Sequence, residues 1–107
     1  MKTELGKCLA GELFNGGDKV LADMTLNAKR LLKRLNETDY ADTEQRKQIF
    51  HDLFGKMGEH VHIDIDFHCE YGKHIFIGDQ VIINMNCTFV DNNIIEIGDN
   101  VLIASNV

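Results

Sequence analysis

No stretch of this chain approaches the roughly 20 apolar residues that a membrane-spanning helix needs, and no secretory apolar segment opens it. The default expectation is therefore a cytoplasmic protein with no membrane partner. Cysteine is scarce: Cys8, Cys69 and Cys87 are odd in number, and no two stand in C-x-x-C spacing. That argues against a disulfide framework and against a zinc knuckle, and each is expected as a small buried filler. Basic residues nearly vanish from the second half. After His60 only Lys73 stands against seven Asp/Glu, whereas residues 1–60 hold ten Lys/Arg and ten Asp/Glu. A nucleic-acid footprint needs clustered Lys/Arg on one face, so no nucleic-acid partner is expected. The net charge of −6 thus arises wholly after residue 60. Such a shift in composition predicts two regions built on different rules.

What is present bears this out at the level of periodicity. The 107 residues suit one domain with a modest core. Thr3 precedes a short amphipathic helix through Leu5, Cys8 and Leu9, ending at Gly11. Asp18 precedes KVLADMTLNAKRLLKRLN, in which Val20, Leu21, Met24, Ala28, Leu31, Leu32 and Leu35 recur at helical spacing. Lys29, Arg30, Lys33 and Arg34 on its later turns read as a solvated basic face, favourable at a helix C-terminus. Asp42-Thr43-Glu44-Gln45 forms a capping box for a third helix, which presents Ile49, Phe50, Leu53 and Phe54 and is expected to stop at Gly55.

Past His60 the period changes. HVHIDIDFH alternates strictly and predicts a strand burying Val61, Ile63, Ile65 and Phe67. Beyond it the beat becomes six: Ile65, Tyr71, Ile77, Ile83 and Phe89, with Cys69, Ile75, Val81, Cys87 and Asn93 four places after each. After a two-residue slip the register resumes at Ile97 and Ile103. A solenoid keeps such a beat, because every coil must send an aliphatic inward at equivalent corners. Three hexapeptides make an eighteen-residue coil, and the slip at Asp91-Asn92-Asn93 completes the twenty separating Ile77-Gly78-Asp79 from Ile97-Gly98-Asp99.

These residues carry a likeness. The opening KCLAGELFN and LADMTLNAKRLLKRLN, followed by YGKHIFIGDQVIINMNCTFVDNNIIEIGDNVLIASNV, resembles the maltose/galactoside O-acetyltransferases from Leu9 to Val107. Ala10-Gly11-Glu12-Leu13-Phe14, Tyr71-Gly72 and Asn84-x-Asn86-Cys87-Thr88 are more specific than hexapeptides alone, which occur in other acyltransferases too. The resemblance implies a mixed α+β chain, with a helical region over 1–58 and a left-handed parallel β-helix from 59 to 107. It also implies a homotrimer that moves an acetyl group from acetyl-CoA to a sugar hydroxyl, with sites between subunits and no metal. In that family a histidine acts as general base on the acceptor hydroxyl.

Carried over by position, the resemblance gives acceptor-binding candidates Gly16, Asp18, Glu70, Asn84, Asp91 and Asn92, with Asn84 supporting catalysis. Whether Asp91 or Asn92 contacts acceptor is open from sequence. Asn84 and Asn86 read equally as turn residues or a stacked ladder, Glu70 as a rim acid, and Asp91-Asn92-Asn93 as a polar loop. The general-base histidine is expected beyond Val107, so no catalytic residue is assigned here and this chain alone is expected to be inactive. The coil is expected to stop after about two and a half turns, with no polar, helical or Pro-bearing closure. A non-catalytic trimerising or sugar-binding module is the alternative. His60, His62 and His68 share the polar face of the alternating stretch and read as solvated rather than as zinc ligands; His74 reads as a turn residue.

Overall fold

A computed structural model describes residues 2–107. Three helices come first, each opened by a side chain that satisfies an otherwise unpaired amide. Helix α1 (Glu4–Leu9) has Thr3 accepting from Gly6 N, α2 (Lys19–Asn36) has Asp18 accepting from Val20 N, and α3 (Thr43–Leu53) has Asp42 accepting from Gln45 N. Helix α2 buries Leu21, Ala28, Leu31, Leu32 and Leu35 of the stripe its sequence spacing predicts, while Met24 is half-buried and Val20, in the first turn, is exposed. At about 1.5–3 kcal/mol per large side chain, that stripe holds α2 against its neighbours.

Eight short strands follow: β1 (Lys56–Met57), β2 (His62–Ile63), β3 (Phe67–Cys69), β4 (Ile75–Ile77), β5 (Ile82–Ile83), β6 (Cys87–Phe89), β7 (Ile95–Ile97) and β8 (Leu102–Ile103). They pair only in parallel, in three sheets ordered β1-β4-β7, β2-β5-β8 and β3-β6. The chain therefore winds around three flat sides and stacks each turn on the last.

Register corrects the sequence reading of the coil. Lys56 pairs with Phe76 and Phe76 with Glu96, His62 with Ile82 and Ile82 with Leu102, Phe67 with Cys87: every step is 20 residues. No coil has eighteen. The two extra residues are not a single slip at 91–93; they recur at the same corner of each turn, at 70–74 and again at 90–94. The inward series runs Ile63, Cys69, Ile77, Ile83 and Phe89. Ile65 and Tyr71, which share its six-residue spacing, stand at corners, and Ile65 is 50% exposed. Nor is 60–68 one strand: it bends between β2 and β3 at Asp64–Asp66. The backbone repeats as well, since His60, Gln80 and Asn100 share positive φ at one corner, and Asn86 and Asn106 at another.

Helix α3 closes the start of the coil. Phe50 and Phe54 stack at 5.5 Å, and both meet Phe67 edge-on, at 6.0 and 5.6 Å. Phe67 in turn meets Phe89 one coil up, at 5.4 Å. Helix α3 ends at Leu53, just before Gly55, as the sequence suggested. The role of Gly55 is close approach, for a Cβ there would lie 2.4 Å from the Lys73 carbonyl.

Candidate functional site

The two widened corners lie one above the other, and Asp91 joins them. One carboxylate oxygen accepts from Glu70 N at 3.0 Å and Tyr71 N at 2.9 Å; the other accepts from His74 N at 3.3 Å. The Asp91 side chain is wholly buried. Its own carbonyl lies 2.9 Å from His74 Nδ1. A carbonyl can only accept, so Nδ1 carries the proton and that edge of the buried imidazole is occupied. Charge-assisted bonds of this kind are about twice as strong as neutral ones, and they account for a carboxylate inside an otherwise apolar coil. Gly72 completes the lower corner at φ +76, where a Cβ would lie 2.5 Å from Leu53 Cδ1.

The helices grip these corners from outside. Asn93 Nδ2 donates to the Cys8 and Leu9 carbonyls at 3.3 and 3.2 Å, and Cys8 Sγ donates to the Asn92 carbonyl at 2.8 Å, so the end of α1 is tied to the upper corner. From α2, Lys29 Nζ donates to the Cys69 carbonyl at 3.1 Å and Thr25 Oγ1 to Glu70 Oε1 at 3.4 Å. Lys73 Nζ donates to the Asp52 carbonyl of α3. The helical region thus fixes the corners' position, and a half-buried Glu70 carboxylate points from a rigid base.

Cys69 and Tyr71 are held in their protonated forms. Burial, then the Asp91 charge, pushes the Cys69 thiol up to about 12, so it stays protonated. Burial, followed by the neighbouring Cys8 and the Glu70 and Asp91 charges, raises Tyr71. Among the described residues no group of three or more His, Cys, Asp or Glu is arranged to hold a metal ion. No helix among them is long and apolar enough to cross a membrane.

The sequence candidates fall into three places. Glu70, Asp91 and Asn92 share the widened corners. Asn84 lies beyond the far end of β6, where its amide side chain donates to the Ile103 carbonyl at 2.9 Å. Several extended residues at about 3.3 Å each separate it from Asn92. Gly16 and Asp18 lie in the loop before α2. Gly16 is exposed with open space around it, while the Asp18 carboxylate is spent on Val20 N at 3.1 Å. Asp91 is spent on bracing the two corners, while Asn92 is half-buried and contributes its carbonyl to Cys8. Thr25, Lys29, Cys8 and Asn93 were not foreseen. Only Asn93 left a trace in the sequence, as the polar break in the Cys69–Ile75–Val81–Cys87 series.

Residues 7–58 match the family model described as the maltose acetyltransferase hexapeptide capping motif. Galactoside O-acetyltransferase of Escherichia coli K12 is 35% identical over 98 residues, covering 92% of this chain and 48% of the relative. A maltose O-acetyltransferase from Clostridium difficile superposes with a TM-score of 0.95 at 34% identity, over 98% of this chain and 56% of that one. Nearly the whole chain is thus similar to maltose and galactoside O-acetyltransferases. A third relative, a hexapeptide-repeat acetyltransferase of Vibrio cholerae solved with acetyl coenzyme A, superposes with a TM-score of 0.87 at 38% identity, over 98% of this chain and 56% of its own. The chain spans about half the length of these relatives. The stacked coils and helical opening are therefore those of a hexapeptide-repeat acetyltransferase.

Proposed function

We propose that the chain supplies the acceptor-binding part of an acetyl-CoA-dependent sugar O-acetyltransferase, assembled as a homotrimer of left-handed β-helices in the cytoplasm. Residues 1–58 serve as the helical region that sets the acceptor loop, and residues 59–107 as the coil that carries the polar corners. The observation that carries this reading is the Asp91 clamp. It spends a buried carboxylate to hold two corners rigid, leaving Glu70 and Asn92 to face a polyhydroxyl acceptor. Fixed hydrogen-bonding groups on a rigid base are what an oriented sugar hydroxyl requires.

The separation of Asn84 from Asn92 supports a shared site. Two corners a coil side apart on one chain can meet one sugar if a neighbouring copy brings its own Asn84 across. In this reading acetyl-CoA, when bound, supplies the acetyl group, and the acceptor hydroxyl attacks the thioester carbonyl as a base takes its proton and the thiolate leaves. The base is none of the five histidines here. His74 is buried with Nδ1 occupied, and His51, His60, His62 and His68 are exposed on α3 and the outer faces and corners of the coil.

Calorimetry with maltose, glucose and a galactoside tests the binding, and thiol release from acetyl-CoA tests the chemistry. The expected result is sugar binding that weakens at least about fivefold in Asn92→Ala, in line with one lost hydrogen bond, and no thiol release. Thiol release by the 107-residue chain would place the base within it and overturn the division of labour. Absence of any sugar binding would remove the acceptor assignment.

A further inference from the structure

Where α3 lies across the first coil, the chain forms a cleft that shares no residue with the polar corners. Its volume is about 320 Å³, near the lower end of the roughly 300–1,000 Å³ typical of small-molecule sites. Tyr40, Phe50, Met57, Val61 and Ile63 give it apolar walls. Arg46 also lines it, and that residue is only 7% exposed.

A charge so deeply placed is ordinarily paired, because burying it alone is costly. Arg46 has no carboxylate partner among the described residues: the ion pairs there are Lys2–Glu12, Lys7–Glu4, Lys19–Asp23 and Lys47–Glu59. Its guanidinium is nonetheless fixed in place. One Nη donates to the Ile63 carbonyl at 2.6 Å, and Cζ lies 4.9 Å from the Tyr40 ring centre and 5.6 Å from that of Phe50. An arginine carries five N–H donors, and the protein takes one of them. None of its nitrogens is sealed away without a partner, and the residue lines the cavity, which leaves the other donors for a ligand there.

The rim does not supply the missing anion. Glu59 lies 4.0 Å from Lys47, Tyr40 and His62 lie 3.3 Å apart, and Glu44 and His60 are exposed. A guanidinium placed over the Tyr40 and Phe50 rings offers a fork that matches a carboxylate's two oxygens, a fit that a lysine cannot give. The aromatic and thioether walls around it suit a flat apolar body. We propose that this cavity binds a small aromatic carboxylate, with Arg46 taking the carboxylate at the inner end and Tyr40, Phe50 and Met57 enclosing the ring.

Benzoate is the probe, and benzamide is its neutral counterpart of nearly the same shape. Titrated into the 107-residue protein and followed by amide NMR, benzoate is expected to give saturable shifts centred on Arg46, Val61 and Ile63. Benzamide is expected to bind at least about tenfold more weakly, as the loss of a charged bidentate contact implies. Arg46→Lys keeps the charge but loses the fork, and is expected to weaken benzoate by a similar factor. Should that variant unfold through loss of the Ile63 contact, Val61→Phe provides the second arm: it fills the cavity, keeps Arg46, and is expected to abolish binding with the fold intact by circular dichroism. No saturable benzoate shift, equal binding of benzamide, or undiminished binding to folded Val61→Phe would each overturn the proposal.

Discussion

In the helical region, residues 4–53, each element is fixed by groups close in sequence: Thr3, Asp18 and Asp42 serve amides two or three residues on. In the coil, residues 56–107, the fixing groups stand about one turn apart. Asp79 accepts from Glu59 N at 2.9 Å, Asp99 from Asp79 N at 2.7 Å, and Asp91 from Tyr71 N at 2.9 Å. The first kind of order can form locally. The second exists only when a neighbouring turn is already in place, so its stability is a sum over stacked interfaces. The comparison teaches where a substitution should be felt: within one helix in the first region, across two coils in the second.

Asp91→Ala should strike hardest. It strands the Tyr71 and His74 amides in the interior, each at about 1–3 kcal/mol, and leaves Glu70 N only its 3.3 Å bond to the Phe89 carbonyl, so a loss of roughly 3 kcal/mol or more is expected in chemical denaturation. Hydrogen exchange should quicken at both corners together; exchange confined to 90–94 would show that the turns are not coupled. Ile49→Ala, in α3, removes a wholly buried side chain and should cost about 2–4 kcal/mol. Its exchange effect should centre on α3 and the aromatic stack it belongs to.

Gly78→Ala sharpens the contrast. A Cβ there would lie 2.3 Å from Asp99 Oδ1, and overpacking of this kind costs about 1–3 kcal/mol. In the Asp99→Ala background most of that cost should vanish, a coupling between residues in successive turns that a double-mutant cycle reads directly. Additive losses would break the picture. The smallest effect is in pH. Cys69 is raised from 9.0 to about 12, chiefly by burial. A thiol whose folded value is raised stabilises fully below its unfolded value, and that contribution is lost as pH climbs toward the folded one. The melting temperature should therefore sag from about pH 9 upward, with Tyr71 acting in the same direction. Cys69→Ala should flatten part of the slope.

Legibility followed the same divide. All three capping residues and the α2 stripe could be read from sequence, because a cap and its amide are sequence neighbours. The six-residue beat announced a solenoid, yet it ran through Tyr71 and Ile65, whose spacing fits the inward series although both stand at corners. Tyr71 is buried all the same, but nothing local distinguishes the exposed Ile65 from Ile63, since only stacking at twenty residues reveals which side chain faces in. The site suffered likewise. Polar residues at 91–93 marked the upper corner, but the inward turn of Asp91 depends on amides one coil below. Thr25 and Lys29 were hidden inside an ordinary amphipathic pattern, and their partners lie 45 and 40 residues away.

The aspartates that follow Gly78 and Gly98 set a rule for how such a gene can change. Each reaches back over the glycine of the preceding turn to an amide exactly one turn earlier in the winding, so the unit that can be copied or lost intact is the full 20-residue turn. A six-residue duplication would keep the aliphatic beat while setting an aspartate over the wrong corner. In the currency of DNA, the coil lengthens in steps of sixty bases, about the span of one turn, and shorter in-frame insertions are tolerated only at the corners.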